Sequence, residues 1–511
     1  MQRKQLTLVI VSLLVVVLSV SLAWFTTQII GKGKDVSVTS ANLQIVFTDS
    51  DGALTETDIE PGWQKTKTFT IKNDTKTEYK YNIVIKDLLN TFVTEGYLQY
   101  KITSTNGGYN MSEFKDIPKS STPKDKILAY SVVIPNGVTQ SYTIEFKYAN
   151  DESIDQSDDM GKKLSGTLFI TEGTEDIYAG YEEGTLGYQI MEDNPTRKAR
   201  DTYDAVFTNN TTGTLFIATE KNVHNITDTT VYYYAGNTTN NWVKFAGYYW
   251  RIIRTNADGS VRMLYSGTAT DTTSGYIGKS AFNTSHNSPK YVGYKYGEDT
   301  SLDTIRNNTT DSTIKTYIDT WYKNNLTNYT KYLSTSAVYC NDRSEGTGQT
   351  YNYASSPSSQ FNFAPYYRMD FDTDGTKANP SYNCTDIRDA FSVDNTSAKL
   401  DYPISLMTAD EIAFAGGVAF QTMNTPYAWF ISNIAGTQVS TSWWSLSPIF
   451  WSGSDAYVWR WLSGSAYLNN DRVDGTKAVR PAISLKSCIK YSTGDGTSES
   501  PYEIVETSSG C

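Results

Sequence analysis

The sequence predicts a mainly β protein with an α+β C-terminal domain, preceded by an N-terminal signal or anchor segment and a β-sandwich. Three observations predict it. Short runs of alternating or β-branched residues, punctuated by Gly, Pro and Asn turns, recur from residue 35 to residue 172. Helical periodicity is confined to a few stretches of the second half. Charged residues are only 19% of the 511, while tyrosine alone contributes 38, so the surface must be polar largely without charge, as suits a β-rich extracellular protein.

Taken in order, the chain opens with Arg3 and Lys4 before an apolar run from Leu6 to Phe25, broken only by Thr7, Ser12, Ser19 and Ser21. A positive flank and an apolar run together form an export signal. The length lies between a long signal-peptide core and a short membrane span. Residues 1–30 are therefore either a signal peptide, with Ser21-Leu22-Ala23 as its small-residue cleavage site, or a retained membrane anchor. In both cases the remainder is expected outside the membrane.

Residues 35–172 are expected to form the sandwich. VSVTSANLQIVFTDS, KTKTFTIKND, YKYNIVIKDL, LAYSVVIPN, SYTIEFKYAN and KLSGTLFITEG supply its strands. Asp51-Gly52, Pro61-Gly62, Asn106-Gly107-Gly108 and Asn136-Gly137 supply turns. The run Ile59-Glu60-Pro61-Gly62, followed by KTKTFTIKN, resembles the signature of the secreted camelysin and biofilm-matrix fibre family. The resemblance covers roughly residues 5–172 and implies self-assembly through exposed strand edges, or a monomeric spacer. No ligand set here carries over a protease activity.

Residues 173–229 read as a linker or junction, rich in Glu, Gly and Asp, with room for one short helix. The mixed domain is expected over 230–506, with a tail at 507–511 that carries Cys511. Within it, Trp250 to Tyr265 reads as two strands joined at Asn256-Ala257-Asp258-Gly259. Thr313 to Tyr332 reads as a helix whose apolar stripe is Ile314, Tyr317, Ile318, Trp321 and Tyr322. Thr408 with Glu411 has the spacing of a capping box, which makes Glu411 structural.

The stretch Trp443 to Leu485 holds five of the 11 tryptophans. Its borders, WWSLSP and VRPAISL, read as anchored strands, so Trp443, Trp444, Arg480 and Pro481 are expected to be frame. Its centre mixes large rings with small polar groups, as recognition surfaces do. FAGYYWRIIRTNADGSVRMLYSG, AVYCNDRS, YPISLMTADEIAFAGG, WWSLSP, AVRPAISL and GDGTSESPYEI together resemble an uncharacterised bacterial surface domain. That family is similar to the C-type-lectin-like superfamily, in the branch of formylglycine-generating enzyme and of diversity-generating variable proteins. The resemblance implies a ligand-facing surface at 451–471, with Trp451, Asp455, Tyr457, Trp459, Arg460, Trp461, Tyr467, Asn469 and Asn470 binding a protein or a glycan.

Chemistry is sparse by comparison. His224 and His286 are the two histidines, far apart and with no cysteine beside either, which disfavours a histidine-based zinc centre or a Ser-His-Asp triad. The oxidase of the resembled branch needs a cysteine pair near its groove, whereas Cys488 and Cys511 fall outside the WWSLSP to VRPAISL segment. No catalytic residue is assigned, and the chain is expected not to be an enzyme. The four cysteines, Cys340, Cys384, Cys488 and Cys511, fit two disulfides in an oxidising compartment. Three pairings exist, and sequence order favours Cys340–Cys384 and Cys488–Cys511. Asp370, Asp372 and Asp374 alternate as in a calcium loop, but Ser381 stands where an EF-hand places Glu. The alternatives there are structural calcium and a solvated Asp-Gly turn; no other cofactor is expected. With 44 Lys plus Arg against 55 Asp plus Glu and no basic stripe, nucleic acid is not an expected partner. The functional expectation is an extracellular bacterial surface display protein, with a structural fibre or envelope component as the alternative and an extracellular enzyme behind both.

Overall fold

A computed structural model describes residues 36–40, 43–49, 53–56, 59–94, 96–203, 210–272, 275–351, 360–369, 378–420, 422, 441–463 and 467–511. The N-terminal segment 1–30 and the loop of Asp370, Asp372 and Asp374 lie outside the described residues. Among the described residues no helix is long and apolar enough to cross a membrane. The chain divides into two compact units, Met1–Asp176 and Ile177–Cys511, and antiparallel β-sheet dominates it.

The first unit contains two antiparallel sheets. One runs in the order Val36–Ser40, Leu43–Asp49, Gln64–Asn73, Thr139–Tyr148, Leu98–Ser104, Lys115–Asp116. The other runs Ala53–Glu56, Leu164–Glu172, Tyr79–Asn90, Ser120–Ile134. Period-two burial follows from side chains pointing alternately to either face of a strand. Tyr142, Ile144, Phe146 and Tyr148 are buried on one strand, and Leu164, Leu168 and Ile170 on another. Both sheets contribute to one core, with Phe69, Ile71, Ile102 and Ile144 from the first and Ile83, Ile85, Leu168 and Ile170 from the second. The Pro61-Gly62 turn works as its residues suggest. Gly62 takes φ +95°, a left-handed value that glycine adopts without strain, and its N–H donates to Tyr148 O at 2.7 Å.

The second unit begins well before residue 230. Leu186–Asp193 is a helix with Thr185 as N-cap, and it buries Leu186, Ile190 and Met191 in the second unit's core. Thr196–Ala199 and Thr214–Glu220 are strands of that unit's largest sheet. The span 173–229 is thus mostly structural. Its polarity disguised it, because the strand Thr214–Glu220 carries a buried glutamate.

The large sheet continues through Thr229–Tyr233, Tyr248–Thr255, Trp242–Phe245, Tyr502–Ile504 and Tyr491–Thr493. Val261–Gly267 leaves Tyr248–Thr255 to pair Pro481–Leu485, which in turn pairs Ile404–Leu406. A second sheet has the order Lys279–Ser280, Lys477–Ala478, Trp443–Trp451, Ala456–Leu462, Tyr467–Arg472. Six tryptophans, Trp250, Trp443, Trp444, Trp451, Trp459 and Trp461, share one core. The helix expected over 313–332 stops earlier, at Asn325, and a 3-10 turn covers Thr327–Tyr332. Asn325 Nδ2 donates to Trp321 O and Thr327 Oγ1 to Lys323 O, local bonds that compete with continuing the helix.

Candidate functional site

The candidate surface is the pair of strands Ala456–Leu462 and Tyr467–Arg472. Their register places Trp459 opposite Asn470, Arg460 opposite Asn469, Trp461 opposite Leu468 and Leu462 opposite Tyr467. Opposed residues share a face, and successive residues alternate faces. Trp459, Trp461 and Asn470 therefore share one face with Tyr457. Arg460, Tyr467 and Asn469 lie on the other, with Asp471.

This split corrects the expected site. Trp459 and Trp461 are fully buried and Trp451 is 2% exposed, so none of the three stacks on a ligand. They belong to the same core as the frame residues Trp443 and Trp444, and Trp444 Nε1 donates to Ser280 O at 2.9 Å. Phe420 lies against Trp459 with ring centroids 5.4 Å apart. Tyr457 is half-buried against Phe450, ring centroids 4.6 Å apart.

The opposite face stays half-exposed. Arg460 Nε lies 3.0 Å from the Asp471 carboxylate, and its Nη1 donates to Ser442 Oγ at 2.9 Å. Lys477 also reaches Asp471, at 2.9 Å. Asn469 Nδ2 donates to Tyr467 Oη at 3.3 Å, and Asn469 Oδ1 accepts from Asn470 N at 2.8 Å. The result is a row of one ring, one amide and one charged trio, Arg460, Asp471 and Lys477.

Asp455 stands at the far end of the hairpin. His286 Nδ1 approaches it at 2.7 Å and Arg472 at 3.4 Å. The Ser454 hydroxyl first, then His286 and Arg472, hold its carboxyl below the usual range. It is a partner in a surface ion cluster with Arg472 and Asp474, whose own contact is 2.6 Å.

Behind the hairpin, Arg480 is a buried cation. Its guanidinium donates to Tyr265 O at 3.2 and 3.1 Å and to Ser266 Oγ at 3.3 Å, and it lies 5.2 Å from the Trp443 ring. Burial pulls its pKa down to about 9, which leaves it protonated at neutral pH. Pro481 opens the buried strand Pro481–Leu485.

Sequence reasoning missed a buried ion-pair chain. Arg254 contacts Glu220 at 2.6 Å and Glu411 at 3.0 Å, and Arg262 contacts Glu411 at 2.6 Å. Glu411 also closes the capping box, accepting from Thr408 N at 2.9 Å while Thr408 Oγ1 accepts from Glu411 N. The four cysteines pair as Cys340–Cys384 and Cys488–Cys511.

No protein-family model matches the chain, and no curated protein sequence matches it either. Two solved structures align over short stretches. One is AvmM, which catalyses macrocyclization in alchivemycin A biosynthesis, at 11% identity and TM-score 0.15, covering 28% of this chain and 99% of that one. The other is a ruminal GH26 endo-β-1,4-mannanase, at 12% identity and TM-score 0.15, covering 29% of this chain and 28% of that one. At that TM-score neither carries an argument about fold or activity.

One acidic set can hold a cation. Carboxylate oxygens of Asp311, Asp319 and Asp401 lie within 4.8 Å of one another. The Lys315 ammonium reaches all three, at 3.2, 2.5 and 2.6 Å. The charge a metal would bring to these carboxylates is thus already supplied by a lysine.

Proposed function

We propose that the chain is an extracellular bacterial surface display protein, without enzymatic activity, whose second unit binds a protein or glycan ligand through the hairpin at 451–471. The supporting observation is the division of labour between the two faces of that hairpin. Trp459 and Trp461 lock the strands into the core, while Arg460, Tyr467 and Asn469 stand half-exposed on rigid backbone. Rings and amides on fixed elements are what recognition surfaces use. Outward positions on such strands accept substitution without disturbing the core, as a diversity-generating variable protein of the C-type-lectin-like superfamily requires. Two disulfides suit an oxidising compartment and support export by a signal or anchor at residues 1–30.

The first unit reads as a β-sandwich of the camelysin or fibre type, serving as a spacer. A second reading, a structural fibre, is favoured by the edge strands Val36–Ser40 and Ala53–Glu56, since sheet edges can add strands from another copy. Structural calcium fits the Asp311, Asp319 and Asp401 set only by displacing the Lys315 ammonium, so calcium addition should leave the melting temperature unchanged.

The exported chain can be screened against immobilised surface proteins and glycans. Any ligand found should bind about tenfold more weakly to Tyr467→Ala or Asn469→Ala, with melting unchanged. A ligand indifferent to both substitutions sinks the assignment of this face. Filaments formed by the chain in the absence of any ligand favour the fibre reading.

A further inference from the structure

We infer that the second unit carries a separate groove for a short, neutral oligosaccharide, formed along the helix Thr313–Asn325. The groove has a volume of about 720 Å³, within the range of about 300–1,000 Å³ that ligand sites occupy. It shares no residue with the hairpin face described above.

Two parallel ladders on the helix define it. Tyr317 and Trp321 are four residues apart and supply rings; Thr316, Thr320 and Asn324 follow the same spacing and supply polar groups. Four residues of helix rise about 6 Å, comparable to one sugar unit in a chain. Tyr291 and Tyr296 add two more rings to the lining.

The rings are positioned in advance. Trp321 packs edge-on against Tyr265, ring centroids 5.5 Å apart at 79°, and lies 5.5 Å from Tyr248. Tyr248 Oη donates to Asn325 Oδ1 at 2.8 Å, and Asn325 Nδ2 donates back to Trp321 O at 2.7 Å. A ring held this way loses little freedom when a ligand stacks on it. The Thr316 and Thr320 hydroxyls donate to helix carbonyls at 3.1 and 2.8 Å, which leaves their oxygens as acceptors. The Asn324 side chain makes no hydrogen bond to the described residues and is exposed.

Charge selects the ligand class. Among the described residues lining the groove, Asp311 is the one charged group; it pairs with Lys295 at 3.1 Å and shares Lys315, at 3.2 Å, with Asp319 and Asp401. No lining cation is present to hold a phosphate, sulfate or sialic acid. A purely apolar ligand would strand the hydroxyls and amides. A peptide added as a strand would need a strand edge, and the lining strands Lys279–Ser280, Lys295–Tyr296 and Thr310–Asp311 offer two residues each. A sugar satisfies both ladders, its C–H face on the rings and its hydroxyls on Thr and Asn.

The test titrates the exported chain with short oligosaccharides of neutral hexoses and N-acetylhexosamines, with sialylated and sulfated glycans in parallel, following tryptophan fluorescence and heat. The expected result is binding of a neutral oligosaccharide that weakens about tenfold or more in Trp321→Ala. Because Trp321 also packs inward, Thr320→Arg at an exposed position is the second variant. It should block binding equally with an unchanged melting temperature. The proposal is overturned if no neutral oligosaccharide binds at millimolar concentration or if anionic glycans bind better. It is equally overturned if binding survives Thr320→Arg.

Discussion

The two units solve the same problem, burying polar groups inside β-structure, with different chemistry. In the first unit, neutral amides do most of it, beside one buried carboxylate, Asp159, which accepts from Val93 N and Tyr148 Oη. Asn82 Oδ1 accepts from Ser131 N and Thr174 N, and Asn90 Nδ2 donates to Ile117 O and Pro118 O. Tyr81 Oη donates to Gln140 at 2.6 Å and also meets Tyr142 Oη. In the second unit, Arg254 and Arg262 meet Glu220 and Glu411 with all four side chains 3% exposed or less. The first unit's amides tie segments 27 to 92 residues apart in sequence. Guanidinium–carboxylate pairs in the second unit reach further, 157 residues between Arg254 and Glu411, and work beside buried amides such as Asn341, whose Nδ2 donates to Leu446 O.

The sharpest way to break that contrast is Glu411→Ala. It removes the carboxylate half of the capping box of the helix Ala409–Phe414, while the Thr408 N-cap bond to backbone stays, and leaves two buried guanidiniums short of a carboxylate. Losing one partner of a buried ion pair costs about 3–5 kcal/mol. Chemical denaturation followed by tryptophan fluorescence should show the second unit's transition shifted by that amount. Burial pushes the Glu411 carboxyl up, yet Arg262 and Arg254 outweigh it and hold it below the usual carboxylate range. The sign follows: this stability is present above the ordinary carboxylate pKa and is lost as pH falls through the lowered one.

Trp459→Ala tests the corrected role of the hairpin. As a buried core ring it should cost about 3–5 kcal/mol of stability. A ligand-stacking ring would instead lose binding with stability intact, and that outcome would return Trp459 to the recognition surface.

In the first unit, Asn82→Ala should cost less, about 1–3 kcal/mol, because two backbone N–H groups lose their acceptor but no charge is stranded. A loss equal to that of Glu411→Ala would erase the distinction between the units.

These differences explain what was legible in the sequence. Period-two alternation announced strands such as Gln64–Asn73, Thr139–Tyr148 and Leu164–Glu172 because each has one buried face. The Thr408–Glu411 spacing announced a cap because capping is local. Arg254 and Arg262 stayed hidden, since Val261–Gly267 is buried on both faces and residues 250–255 of the neighbouring strand are equally enclosed, so charge no longer marked solvent. Trp459 and Trp461 were misread despite a visible clue. Two residues apart, they must share a face, and Arg460 must oppose them. Tyr317 and Trp321 pack against the core as the apolar stripe predicts and also line an open groove, since helical periodicity cannot show how wide a stripe the core needs.

The smallest expected effect lies at Lys315, where the second unit uses a charge cluster near its surface. Burial pushes the Asp319 carboxyl up to about 6, against the pull of Lys315, and Asp401 and Asp311 push it further up. A raised carboxyl pKa means that the folded chain holds the proton more tightly than the unfolded one. Its contribution is therefore fully present below the unfolded value of 3.8 and is lost as pH rises through about 6. Asp401 has the opposite sign, since its hydrogen bond from Lys315 lowers its pKa and its contribution is lost as pH falls. The Asp401 side chain is 56% exposed, so solvent screens its pairing with Lys315, and that pairing should stay below about 1 kcal/mol. Thermal melts of Asp319→Asn between pH 4 and 7 should show a flatter decline with rising pH than the parent chain. An unchanged slope would mean that Asp319 is ionised throughout, with Lys315 paired to it as firmly as the buried arginines are to Glu411.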